Sequence, residues 1–165
     1  MEFKVGDKAV VPNLGVGVCA EVTTIDVDGE TYEFYVFDIM QSKNNQPTIY
    51  RVNKDFVAAE GVRELIPLAA IERVYDVLRD RTTPPDKQTW NRRYREYLQK
   101  ITSGDPFEVA SVLRDLSRLK AEKTLSFGER KMFDQAHSLI VQEIAVARDV
   151  DEKVIADELE DIFNS

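Results

Sequence analysis

The hydrophobic pattern of the chain changes near residue 65, and this change constrains the fold more than any other feature. Before it, four segments are rich in Val, Ile, Thr and aromatic residues, which favour strands: residues 8–12, 16–25, 31–40 and 48–53. After it, apolar residues recur at the spacing of one helical face. The sequence therefore predicts an α+β fold of two modules, a β module followed by a helical module.

The first module, residues 1–66, is expected to be a small Tudor/SH3-like β-barrel of about five short strands. Asp28-Gly29 stands between two strand-like segments and adopts positive φ at little cost, so a hairpin turn is predicted there. Residues 31–40 are apolar on both faces, which predicts a central strand. A polar loop is expected at residues 41–47.

The second module, residues 67–165, is expected to be an all-α bundle of about five helices. Pro84-Pro85 interrupts the helical pattern and separates the first helix from the second. Helix N-caps are predicted at three positions, the first two as capping boxes: Asp105 with Glu108, Ser126 with Glu129, and Asp151.

Composition places the protein among folded, cytoplasmic chains. A hydrophobic content of 43% is enough for a core. No apolar run reaches the ~18 residues that span a bilayer, and the N-terminus lacks the pattern of a signal peptide. Cys19 is the only cysteine, so no intrachain disulfide can form. We expect no contact with a membrane.

Residue types that carry catalysis or bind metals are scarce. His137 is the only histidine and lies within a predicted helix, where a structural role is expected. A zinc site needs several Cys or His ligands at close spacing, and neither phosphate-binding glycine motif is present. The sequence therefore predicts a protein that is not an enzyme and that holds neither metal nor cofactor.

The basic segment around the only tryptophan is unusual in a chain of net charge −8. Four cations surround Trp90 within Thr89–Lys100: Arg92, Arg93, Arg95 and Lys100. Two interpretations remain open. In the first, Trp90 packs in the core at a helix start and the arginines form a solvated face. In the second, the ring projects from the helix tip and wedges against an unstacked base step, while arginines bind phosphates.

Four segments of the chain carry a family resemblance: "FKVGDKAVVPNLGVG", "GVREL", "TWNRRYREYLQKITSGDPFEVASVLRDL" and "LSFGERKMFDQAHSLI". In their order and spacing the chain resembles the CarD/CdnL family of bacterial transcription regulators over nearly its whole length. The resemblance implies a Tudor-like domain that docks on the RNA polymerase β subunit. It also implies a helical domain that binds promoter DNA at the upstream edge of the melting bubble and stabilises the open complex.

The resemblance also implies site residues. The DNA-binding set is expected to comprise Trp90 as a minor-groove wedge, Arg92, Arg93, Arg95, Arg130 and Lys131. The polymerase-binding set is expected to comprise Phe37, Ile49, Arg51 and Asn53. We expect a monomer that is associated with the nucleoid through RNA polymerase.

The chain departs from the family pattern in the β module. Asn53 stands where members commonly have proline, and Ile25 stands where some carry an arginine. Val10-Val11 precedes Pro12 in place of the more usual tyrosine. An alternative function therefore stays open, in which the chain is an interaction adaptor whose helical module binds another protein and not DNA.

Overall fold

The computed structural model describes residues 1–40, 46–83 and 88–165. Most of the predicted polar loop, together with Pro84-Pro85, lies outside the described residues. The chain divides into two compact units, Met1–Leu65 and Ile66–Ser165, and each has its own hydrophobic core. An antiparallel sheet followed by five α-helices confirms the predicted α+β architecture.

The first unit is built on a five-stranded antiparallel sheet. Its strands are β1 Lys8–Val11, β2 Gly15–Val27, β3 Glu30–Ile39, β4 Ile49–Asn53 and β5 Arg63–Glu64. Their order across the sheet is β4-β3-β2-β1-β5, so β4 and β5 end the sheet as the described residues form it. The segments rich in β-branched and aromatic residues thus form strands as predicted.

The β2–β3 hairpin turns at the predicted dipeptide. Asp28 and Gly29 have φ values of 51° and 83°, and the strands pair from Val27 opposite Glu30 onward. Positive φ at both central residues matches the turn to the twist of the flanking strands. The prediction of a hairpin at this position is confirmed.

Strand β3 is central, as predicted, and carries much of the core of the first unit. It pairs with β2 on one side and β4 on the other. Tyr35, Phe37 and Ile39 alternate along it and are buried. Phe3 packs edge-on against Tyr35 and Phe37, with ring centroids 5.5 and 5.4 Å apart. The Phe3 backbone N–H donates to the Tyr35 hydroxyl at 3.2 Å.

The second unit contains the five predicted helices. They are α1 Ile71–Arg79, α2 Trp90–Thr102, α3 Pro106–Glu122, α4 Phe127–Arg148 and α5 Glu152–Asn164. Their buried faces form one core, in which Leu113, Leu116, Ile144, Ile155 and Leu159 are fully buried. None of the helices in the described ranges is long and apolar enough to cross a bilayer.

Local cap signals decide where three of the helices start. The Asp105 and Asp151 carboxylates accept from the backbone N–H two residues later, at 2.8 Å in each case. Ser126 and Glu129 form the predicted reciprocal capping box. The predicted box of Asp105 with Glu108 is wrong, because the Asp105 N–H donates to the Ser103 hydroxyl at 3.1 Å instead.

Candidate nucleic-acid interface

Trp90 begins α2 and lies at the margin of the helical core. Further along the helix, Tyr97 and Ile101 are buried and anchor α2 to the rest of the unit. The Trp90 ring is half-buried and lies 5.8 Å from the Tyr94 ring and 6.5 Å from the Tyr97 ring, centroid to centroid. One part of the indole therefore contributes to packing while another part stays open to solvent.

Gly128, in the first turn of α4, forms a close contact with the indole of Trp90. A Cβ atom at this glycine would lie 3.2 Å from Trp90 Cζ2 and 3.3 Å from Nε1. These distances are shorter than an ordinary van der Waals contact between carbon atoms. The glycine allows α4 and the indole to approach this closely, so the starts of α2 and α4 meet at Trp90.

Arg93 covers the Trp90 ring and binds a buried carboxylate. Its guanidinium carbon lies 5.2 Å from the ring centroid, within the range of a cation–π contact. Its Nη2 lies 3.3 Å from a carboxylate oxygen of Glu129. The Arg93 side chain is only 14% exposed. This predicted phosphate ligand thus has an intramolecular partner in the free chain.

Glu129 joins these groups from the N-terminus of α4. Its side chain is 3% exposed; its second oxygen accepts from the Ser126 backbone N–H at 2.9 Å and from Lys123 Nζ at 3.1 Å. Burial alone would raise the pKa of Glu129, but the hydrogen bonds from Ser126 and Lys123 outweigh it and lower the pKa to about 2. The carboxylate is therefore ionised at neutral pH and attracts Arg93.

The other predicted DNA-binding residues remain available at the surface. Arg92 and Arg95 are exposed on α2, and Arg130 and Lys131 are exposed on α4, directly after Glu129. Arg130 Nε lies 3.6 Å from Asp134 one turn later, an exposed pair that contributes little energy. These cations belong to the two helix starts that meet at Trp90.

The predicted polymerase-binding residues lie on or beside β4. Ile49 is 49% exposed and Arg51 is also exposed. Both lie on β4, an edge strand of the sheet that the described residues form. The Asn53 side chain accepts from the Asp55 N–H at 2.8 Å and so caps the following turn. Phe37 has no exposed surface and lies on central β3. Its side chain therefore offers no surface to a partner, which contradicts the expectation that Phe37 contacts the polymerase.

His137 and Cys19 have surroundings that fit structural roles. His137 stacks on Phe133 with ring centroids 5.9 Å apart, and burial lowers its pKa. Cys19 is buried in the sheet core, and burial raises the pKa of its thiol. Within the described ranges, no three His, Cys, Asp or Glu side chains come together in a way that could hold a metal ion.

Comparison with known proteins identifies the family. Residues 73–160, more than half of the chain, match the model of the CarD C-terminal domain. The chain belongs to the CarD/CdnL family. It is 29% identical over 157 residues, 93% of this chain and 97% of the relative, to "Putative transcription factor YdeB" of Bacillus subtilis (strain 168). Membership in the family makes the chain a transcription regulator and implies an interaction with RNA polymerase.

Three residues at the candidate site were not identified from the sequence. The capping pattern identified Glu129 as a cap but gave no sign that Arg93, 36 positions earlier, would be its ion-pair partner. Gly128 within "SFGE" carries no motif that announces a tryptophan beside it. Phe127 belongs to no motif or helical stripe in the sequence, and its side chain is 87% exposed.

Proposed function

We propose that the chain docks on the RNA polymerase β subunit through its first unit and stabilises the open promoter complex through its helical unit. The half-buried Trp90 ring, with the exposed Arg92 and Arg95 two and five positions later on the same helix, is the observation that carries this proposal. Its open edge supplies an apolar surface to a distorted base step, and the arginines supply positive charge to the flanking phosphates.

Docking through β4 would use main-chain hydrogen bonds. A strand that ends a sheet presents unpaired N–H and C=O groups along one side, to which an extended segment of a partner can add. The exposed side chains of Ile49 and Arg51 would then select the partner. Asn53, at the end of this strand, already caps the next turn, so it would shape the end of β4 more than bind the polymerase directly.

Docking explains how an acidic protein acts on DNA. The net charge of −8 opposes binding to DNA by the free chain. Attachment to polymerase raises the effective concentration of the helical unit beside the promoter, so a few contacts suffice. The helical unit shifts the equilibrium toward the open complex only if it binds melted DNA better than closed duplex. The Trp90 ring supplies such a difference, because an unstacked base step exists only after melting begins.

Replacing Arg92 with alanine tests the phosphate contacts. We expect the half-life of the open complex formed with the variant to fall, and its dependence on salt to be less steep by about one unit in the log–log slope. The measurement is a heparin challenge of promoter complexes at several salt concentrations.

Lys153→Ala on α5 is the matched control, because it removes the same charge from a side chain that is 80% exposed and pairs with Asp157 on its own helix. It is expected to leave both half-life and slope unchanged. Equal effects of the two variants would indicate general electrostatics, and no effect of Arg92→Ala would favour an adaptor that binds another protein.

A further inference from the structure

Phe127 is exposed to an extent that folding does not explain. Its side chain is 87% exposed, the highest value for any large hydrophobic side chain in the described ranges. It is absent from the side chains that pack against the helical core, although Trp90, Phe107 and Phe163 are among them. The ring therefore adds little to stability, while its exposure to water is unfavourable.

The position of Phe127 is fixed by its neighbours on both sides. Ser126 before it and Glu129 after it form the capping box that starts α4, so Phe127 is held in the first turn of a well-defined helix. Gly128, the next residue, contacts the Trp90 indole. An exposed ring thus lies one residue away from the contact between α4 and the proposed wedge.

The exposed face of α4 around Phe127 is basic. Arg130 and Lys131 follow Phe127 by three and four positions, so the three side chains lie on one face of the helix. Both cations are exposed. Asp134 lies one turn further along the same face and pairs with Arg130, which reduces the positive charge without cancelling it. An exposed ring beside two cations suits a base flanked by phosphates, because aromatic rings stack on bases and cations bind the backbone.

We propose that Phe127 is a second ring that binds promoter DNA, stacking on an unpaired base while Arg130 and Lys131 bind the adjacent phosphates. This inference rests on the proposed function and adds a contact to it, since the family resemblance assigned a ring only to Trp90. The occupant is nucleic acid and not a protein surface because the exposed ring shares its face of α4 with Arg130 and Lys131, and because the neighbouring Gly128 contacts Trp90 at the start of the basic helix α2. Two rings near the meeting point of those helices would bind melted DNA at two positions.

The experiment measures the half-life of open complexes formed with full-length Phe127→Ala, Phe127→Leu and Phe127→Tyr variants. We expect alanine and leucine to lower the half-life at least about fivefold, since stacking on a base needs a ring, and tyrosine to retain it. Because Phe127 is so exposed, all three variants should melt at the temperature of the wild type. Leu68→Ala, which removes a 64% exposed side chain from the same unit, is the control and should have no effect.

Three other outcomes would overturn the inference. A half-life unchanged by Phe127→Ala, while Trp90→Ala shortens it, removes Phe127 from the DNA contact and leaves the proposed function in place. Weaker binding of Phe127→Ala to polymerase in the absence of DNA would make Phe127 part of a protein interface. If neither Phe127→Ala nor Trp90→Ala changes the half-life, the proposed function fails together with the inference.

Discussion

Replacing Trp90 with alanine is expected to shorten the half-life of the open complex about tenfold or more while leaving binding to polymerase unchanged. The ring lies where the starts of α2 and α4 meet, and its solvent-exposed part would contact a base step. Polymerase docking is assigned to the other unit, Met1–Leu65, so it should not depend on this side chain. A heparin challenge measures the half-life, and a pull-down measures docking.

The geometry requires a control for folding in this experiment. Because Trp90 is half-buried and packs against Tyr97 and Gly128, its loss also destabilises the helical unit, by about 1 to 2 kcal/mol. Leu98→Ala removes a 38% exposed apolar side chain from the same helix and serves as the matched variant. If Trp90→Ala and Leu98→Ala shorten the half-life equally, the loss reflects α2 in general and the wedge is wrong.

Replacing Glu129 with alanine is expected to lower the free energy of unfolding of the helical unit by about 2 to 3 kcal/mol. The variant loses the capping box and leaves the Arg93 guanidinium, already largely buried, without its carboxylate. Arg93 Nε has no hydrogen-bond partner among the described residues even in the wild type, so little else is available to compensate. Thermal unfolding followed by circular dichroism measures the change.

Trp90 gives a second readout of the same variant. It is the only tryptophan, so the intrinsic fluorescence of the chain reports on its ring alone. Loss of Glu129 frees Arg93 from its position over the indole, and we expect the emission maximum to move to longer wavelength. Glu158→Ala is a matched control on α5, because it removes a carboxylate paired with Arg148 far from the tryptophan in sequence. An unchanged emission maximum in Glu129→Ala would show that the ion pair does not position the ring.

Because of the Glu129 carboxylate, we expect the stability of the helical unit to depend on pH. The pKa of Glu129 is lowered from an ordinary value of 4.5 to about 2 in the folded chain. Its stabilising effect is therefore complete above pH 4.5 and is lost as the pH falls toward 2, because the unfolded chain binds the proton first. Hydrogen bonds from Thr82 also lower the pKa of Asp80, so other carboxylates contribute to the loss of stability in acid. The contribution of Glu129 is therefore measured as the difference in free energy of unfolding between the wild type and Glu129→Gln. That difference should disappear toward pH 2.

Local signals in the sequence predicted the elements of the fold well. The Asp28-Gly29 turn and the caps at Ser126 and Asp151 depend on a few neighbouring residues, so their sequence patterns are sufficient. The capping box at Asp105 failed because another neighbour, the Ser103 hydroxyl, competes for the same backbone N–H. Such competition between equally local partners is decided by backbone geometry, which a residue pattern does not contain.

The site itself was predictable only in part. The sequence left Trp90 either in the core or projecting into solvent, and the half-buried ring is neither. Its environment depends on Gly128 and on the Arg93–Glu129 pair, contacts between residues more than thirty positions apart in the chain. Periodicity places a side chain on a helix face but does not say which other helix will cover it. The charge of the segment was visible in the sequence, whereas the internal partner of Arg93 was not.

The most direct test of the two-unit mechanism compares the full chain with its separated halves, residues 1–65 and 66–165, each of which has its own core. The measurement is the half-life of the open promoter complex at a concentration that half-saturates the effect of the full chain. We expect the full chain to lengthen the half-life and an equimolar mixture of the halves to have almost no effect, because the linkage supplies the high local concentration. A mixture as effective as the full chain would contradict delivery of the helical unit by polymerase docking.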